Sequence, residues 1–269
     1  MSAALAPSPS LRTRVERLSG AQASALSLAI GAVLWEIVGR VAQVPFFPPL
    51  SEVLVRLGDM VVTGQIVGNL AESLGNLVIG FGVSLTIGLV LGTAMGRYRR
   101  VNAMFGIYVY ALLTAPSLVF APIFFSILGS GRGSIVGVVV MYSTFIMIIT
   151  TASAVENVSP GLVEMGRSYG AGEWRLLTRV ILPAAAPSIF TGIRLGVGRA
   201  VTGMINGEMF IAVVGLGRIV TQAGKRFDGA GVLAILLVII VVAVAAVALT
   251  QLVDRRITSW VPQTSKDAA

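Results

Sequence analysis

Cysteine and histidine are both missing from the chain. Their absence removes disulfide frames, thiol nucleophiles, imidazole bases and Cys or His metal sites together, and membrane-embedded hydrolases built on a Ser/His pair go with them. No Gly-x-x-x-x-Gly-Lys-Ser/Thr phosphate loop is present either, so if ATP drives this protein another subunit must hydrolyse it. Charge is scarce: Asp, Glu, Lys and Arg make up 12% of the 269 residues, against 55% hydrophobic residues and a mean hydropathy of +0.89. A soluble domain carries about twice that share of charge. These values predict an all-α, polytopic membrane protein.

What is there is organised by apolar runs. Six are long enough to cross a bilayer as helices, at about 23–42, 70–95, 105–128, 134–152, 187–213 and 231–253. The residues before the first run carry Arg12, Arg14 and Arg17 among Pro, Ser and Ala and read as a cytoplasmic tail, not a signal peptide. Glu36 and Arg40, four apart near the outer end of the first run, suit a helical ion pair. Val44-Pro-Phe-Phe-Pro-Pro49 then breaks the helix, and residues 50–62 read as a short amphipathic segment on the outer face. In the second run Gly80, Ser84, Gly88, Gly92 and Gly96 repeat every four residues, a stripe along which another helix can approach closely. The third run contains Pro116 and Pro122, whose broken backbone belongs inside protein or beside a water-filled cavity; both a packing kink and a pathway helix fit. The fourth is plain and apolar. In the fifth, Gly192, Gly196 and Ala200 repeat the period of four, while Arg194, Arg199 and Glu208 place charge where it is costly against lipid and belongs against protein or water. Glu208 suits either a pathway lining or a bond to a neighbouring helix. Residues 217–229 read as an outer loop, and Asp254, Arg255, Arg256 and Trp260 as an inner-interface anchor.

One polar stretch lies between two spans. At its start Ser159 suits an N-cap and Pro160 the first helical position. Leu162, Met165 and Tyr169 form one stripe, and Gly170 suits the left-handed conformation that stops a helix. A second short helix begins near Gly172, sets Trp174, Leu177 and Ile181 opposite Arg175 and Arg179, and ends at Pro183. Twelve of the twenty Lys and Arg residues fall on the side of this stretch and of both termini, Lys266 included, and six on the other. That bias puts both termini and the stretch in the cytoplasm, and it explains the net charge of +8 better than nucleic-acid binding does.

Glu164, Gly170, Val180, Leu182 and Pro183 stand at the spacing of the EAA motif, and at these residues the sequence resembles the cytoplasmic coupling loop of bacterial ATP-binding-cassette (ABC) importer permeases. Met165 and Gly166 replace the motif's two alanines, and Val180 its isoleucine. The resemblance runs from about residue 25 to 260. It includes the Phe-Pro-Pro stretch, the proline-bearing third run, and Leu195-Gly-Val-Gly-Arg-Ala200 with Glu208-Met209 and Gly215-Leu-Gly217, and it is nearest the subgroup for nitrate, sulfonate, taurine and some vitamin precursors. It implies the type I importer permease fold with six transmembrane helices in a bacterial inner membrane. The expected parts are tails at 1–22 and 261–269 and a permease domain at 23–260 with its coupling loop at 155–183. The expected partners are a second permease copy, cytoplasmic ATPase subunits that use ATP and magnesium, an extracytoplasmic binding protein and lipid. The chain itself would bind no cofactor or metal and have no catalytic residue. Coupling falls to Glu164, Gly166, Arg167, Tyr169, Gly170, Trp174, Leu182 and Pro183, and the pathway candidates are Pro116, Pro122, Arg194, Arg199 and Glu208.

Other readings fit parts of the chain. The polar stretch has the make-up of an amphipathic helix on headgroups. A secondary transporter would use the charged spans as an ion path, but acidic residues are few and no inverted repeat is evident. A membrane-bound enzyme lacks the histidine and cysteine it would need. Within the same fold, the solute expected is a small anion such as a sulfonate, taurine or nitrate; a vitamin precursor, an amino acid, phosphate or a metal chelate is the alternative.

Overall fold

A computed structural model describes residues 20–258 apart from 43, 45 and 212. Arg12, Arg14, Arg17, Trp260, Lys266 and nearly all of both expected tails lie outside the described residues. Eleven α-helices are described: α1 (Gly20–Ala42), α2 (Leu50–Val62), α3 (Gln65–Arg97), α4 (Arg99–Thr114), α5 (Ala121–Leu128), α6 (Arg132–Glu156), α7 (Pro160–Ser168), α8 (Glu173–Leu176), α9 (Leu182–Ile211), α10 (Gly215–Lys225) and α11 (Gly229–Ile257). Five helical runs are long and apolar enough to cross a membrane, and the bent pair α4–α5 makes a sixth.

The plain fourth span, α6, is the centre. It is about 37 Å long, and both glycine stripes close on it. A Cβ on Gly80 of α3 would meet Val139 at 2.6 Å, one on Gly88 would meet Met147 at 2.5 Å, and one on Gly92 would meet Thr151 at 2.6 Å. Ser84, at the remaining place in that stripe, takes hydrogen bonds from Ser143 (2.7 Å) and Thr144 (3.1 Å). From the other side, a Cβ on Gly192 or Gly203 of α9 would collide with Thr150 or Tyr142. Small residues therefore let two helices seat on α6 at backbone distance, and Met147, fully buried, is wedged between Gly88 and Gly196.

The remaining helices fill the flanks. Val53 and Met60 of α2 join Leu216 and Ile219 of α10 and Ala234 and Ile235 of α11 in one buried cluster at one end of the bundle. Residues 217–229 are thus mostly helical, not loop: Leu216, Ile219, Val220 and Ala223 have helical spacing, and the first three belong to or pack on that cluster. α1 leans on α2 and the residues just before it, with Gly39 against Pro49, Trp35 donating to the Pro48 carbonyl (3.2 Å) and packing on that cluster, and Glu36 holding both Arg40 and Ser51.

The third span departs from a straight helix. α4 stops at Thr114, Pro116 opens a short 3₁₀ turn (Ser117–Phe120), and α5 leaves at 97° to α4. Pro122 sits in the first turn of α5, where its missing N–H opens a helix and interrupts none.

The ion pairs respect the two ends. Glu72 with Arg132 and Arg56 with Asp228 lie at one end, while Arg97 with Glu173 and Arg194 with Asp254 lie at the other.

Candidate functional site

The polar stretch folds as two short helices fixed beneath the core. α7 starts at Pro160, but the Ser159 side chain makes no capping bond; its carbonyl takes the N–H groups of Leu162 and Val163. Gly170 has φ 75° and ends α7, with its N–H on the Arg167 carbonyl at 2.9 Å. Gly166 is buried against Leu176, whose methyl would lie 2.7 Å from an added Cβ, so the two helices meet there. Leu176 and Ile181 join Ala154 and Val155 of α6 and Ala185 and Ile189 of α9 in a buried cluster. Glu173 pairs with Arg97 at the end of α3 and with Arg167 of α7 at 3.4 Å. The platform is therefore tied to all three central helices.

Pro183 does not end the second helix. α8 runs through a π turn (Leu177–Ile181), in which the Leu182 N–H reaches the Leu177 carbonyl five residues back, straight into α9. The π turn stands just before Pro183, which has no N–H to continue the ladder. Pro187 lies inside α9 as well. The expected stripe is graded in depth: Ile181 is buried, Leu177 is partly buried, and Trp174 is 76% exposed. Leu162, Met165 and Tyr169 are exposed too, Tyr169 at 86%. The lower surface of the platform thus presents apolar side chains beside Glu164, Arg167 and Arg175, all in contact with solvent.

The five pathway candidates are dispersed. Pro116 and Pro122 flank the bend of the third span. Glu208 is fully buried near the start of α10, where its carboxylate accepts from Ser73 (2.8 Å) and Asn76 (3.1 Å) of α3 and from the Gly217 N–H (3.1 Å), while the Leu216 N–H donates to Ser73. It pins the start of α10 to α3, and Gly215, at φ 83°, leaves the room it occupies. Ser73 and Asn76, three apart in an apolar run, were the legible sign of that partner. Arg194 reaches Asp254 of α11 at 3.2 Å, toward the end of the bundle that carries the platform.

Arg199 is different. It is exposed on α9, with no carboxylate in ion-pair range among the described residues. Ser188, Thr191, Thr202 and Asn206 lie on the same side of α9, and Asn206 bonds the Tyr142 hydroxyl at 2.9 Å. Tyr142, Thr150, Ser153 and Asn157 continue the side along α6 at helical spacing. The open side of the α6–α9 pair therefore carries a seam of polar side chains, with Leu195 and Ile149 among them. Sequence reading missed all of these but Arg199, though their spacing of three and four was visible. Among the described residues no group of carboxylates could hold a metal ion.

Comparison with known proteins places this architecture. Residues 84–259 match the family model described as binding-protein-dependent transport system inner membrane component. A protein of Brucella melitensis described as a probable ABC transporter permease is 29% identical over 244 residues, which cover 91% of this chain and 99% of that one. The taurine transport system permease protein TauC of Escherichia coli is 27% identical over 241 residues, 87% of this chain and 88% of that one. A structure of the MetNI methionine ABC transporter in an inward-facing conformation superposes with a TM-score of 0.58 over 71% of this chain and 93% of that chain at 18% identity, a likeness of fold. The clasped α6, the seam beside it and the platform beneath are thus the parts of a membrane transport subunit, and the chain belongs to the family of binding-protein-dependent transport system inner membrane components, the ABC importer permeases.

Proposed function

We propose that two copies of this chain form the translocation pathway of an ATP-driven importer for a small anionic solute such as a sulfonate, taurine or nitrate. The polar seam of α6 and α9 faces the pathway, and an extracytoplasmic binding protein delivers solute to the outer end. Each copy docks a cytoplasmic ATPase subunit, which supplies the ATP and magnesium chemistry, against Tyr169, Trp174, Glu164 and Arg167. The chain is multi-pass in the bacterial inner membrane, bounded by lipid, with both termini in the cytoplasm, and it has no ATPase site of its own.

The observation that carries this reading is the platform. Large apolar side chains lie bare on two short helices at one end of the spans, while Leu176, Ile181 and Glu173 fix those helices to the core. An exposed patch of that kind marks a docking surface, and a rigid link transmits the partner's motion to α9. The similarity to TauC supports the class of solute.

The test is co-purification of the tagged chain from native membranes in mild detergent, followed by uptake in proteoliposomes. An ATPase subunit is expected with the wild-type chain. Gly170→Asp, which forces a side chain into φ 75° at the joint of α7 and α8, should insert normally, lose the ATPase and abolish uptake. Normal transport by this variant would remove Gly170 from the coupling role.

A further inference from the structure

Arg199 is a charge that no carboxylate among the described residues neutralises. Gly196 lies against Met147 and Gly203 against Tyr142, so Arg199 between them stands level with the middle of α6. An unpaired guanidinium at that depth costs a few kcal/mol against hydrocarbon. Residues in such places face a partner or water.

Among the described residues no carboxylate is free to meet it. Glu36, Glu72 and Asp254 are already paired with Arg40, Arg132 and Arg194. Glu208 is sealed among Ser73, Asn76 and Gly217. The other described carboxylates lie in α2, in the platform, at the last residue of α6 or in the turn before α11. The seam around Arg199 offers hydroxyls and amides but no counter-charge, which leaves the negative charge to the transported solute.

We propose that Arg199 is the specificity-determining contact of the pathway, a fixed cation that takes the oxyanion group of the solute as it passes along the α6–α9 seam. The guanidinium presents planar donors that match a sulfonate, nitrate or carboxylate. Two copies bring two such cations to one passage, and the exposed Thr202 and the Asn206–Tyr142 pair offer weaker polar contacts above them. This inference rests on the permease reading and adds to it the residue that selects charge.

The absence of cysteine supplies the experiment. Arg199→Cys makes the only thiol in the chain, so the assembled importer, with its ATPase and binding protein, is reconstituted in proteoliposomes using partner subunits whose own cysteines have been replaced. Uptake of radiolabelled taurine, ethanesulfonate and nitrate is then followed. The expected result is a loss of about tenfold or more in Arg199→Cys and Arg199→Gln, the scale of one charge-assisted hydrogen bond, with binding-protein-stimulated ATP hydrolysis retained. Modification of the cysteine by an impermeant trimethylammonium thiosulfonate should restore uptake, and modification by the sulfonate-bearing reagent of similar size should not. Arg199→Lys should keep part of the activity.

Four outcomes overturn the proposal: a cysteine that neither reagent reaches, equal recovery with both reagents, Arg199→Gln transporting as well as the wild type, or a wild-type importer that moves none of the three anions. In each, co-purification of the ATPase leaves the permease reading standing, whereas loss of that subunit from the wild-type chain would overturn the permease reading itself.

Discussion

Replacing Gly88 by alanine tests the clasp on α6. The added Cβ would stand 2.5 Å from the Met147 Cβ and within 3.5 Å of the Met147 backbone. Carbon atoms rest about 3.5–4.0 Å apart, and Cβ is fixed to the backbone, so no change of Met147 rotamer relieves the clash. α3 and α6 must separate by about 1 Å, and Met147, wedged against Gly196 on its far side, resists the shift. Overpacking of this kind costs about 1–3 kcal/mol. Gly82 lies on the same helix with nothing within 4 Å of an added Cβ; alanine there gains about 1 kcal/mol of helix propensity. The two variants should therefore differ by about 2–4 kcal/mol, a gap of about 4–16 °C in thermal midpoint for a chain of this size. Size-exclusion chromatography of detergent-solubilised protein after stepwise heating, at one fixed heating time because the loss is irreversible, reads that gap. Equal midpoints for Gly82→Ala and Gly88→Ala would refute the clasp.

Glu208→Ala strips the acceptor from Ser73, Asn76 and the Gly217 N–H and should cost about 3 kcal/mol, read as a lower melting midpoint and as faster proteolysis near residues 213–217. Glu208→Gln should be milder, because Asn76 Oδ1 has no hydrogen-bond partner and a turned Asn76 amide would accept from the new glutamine; equal losses in both variants would argue against the pin. In the turn before α11, burial pushes the Asp228 carboxyl up, but the Gly231 N–H (2.7 Å) and the Arg56 guanidinium (2.8 Å) pull further the other way, leaving it below its ordinary 3.8. A depressed carboxyl stabilises the fold above its unfolded value and ceases to do so as pH falls through the folded one, so Asp228→Asn should melt earlier than wild type at pH 7, and the difference should close only as pH drops below the usual carboxylate range; a constant difference down to that range and beyond would contradict the lock.

Long periodic features were legible in the sequence, and special backbone was so only in part. The four-residue stripes of Gly80 to Gly96 and Gly192 to Ala200 gave the packing faces directly, because close helix approach requires small residues. The amphipathic run at α2 was legible to the residue, since Val53 and Met60 alternate with charge at helical spacing. The left-handed Gly170 followed from its place after a short apolar stripe. The π turn did not, because Pro183 reads as a stop whenever the chain before it is assumed to be α-helical; one wider turn lets the helix pass. The 97° bend was foreshadowed by Pro116, though no local pattern gave its angle. Helix α10 was lost among glycines and charges, its apolar side hidden by the expectation of a loop. At the site, the sequence showed which residues were charged but not which were paired, so Arg194, Arg199 and Glu208 looked alike until Asp254 and Ser73 came beside two of them.

The π turn also sets a phase. Successive residues of an α-helix are rotated by about 100°, and the wider turn at Leu177–Ile181 inserts about one residue's worth of winding between α8 and α9. Above it, Gly192 and Gly203 are keyed to α6 and cannot rotate freely. Below it, Glu173 is moored to Arg97. The compass bearing of Arg199 relative to Trp174 is therefore fixed by one non-standard turn, so a twist applied at the platform arrives at the seam as a change of heading as well as of height.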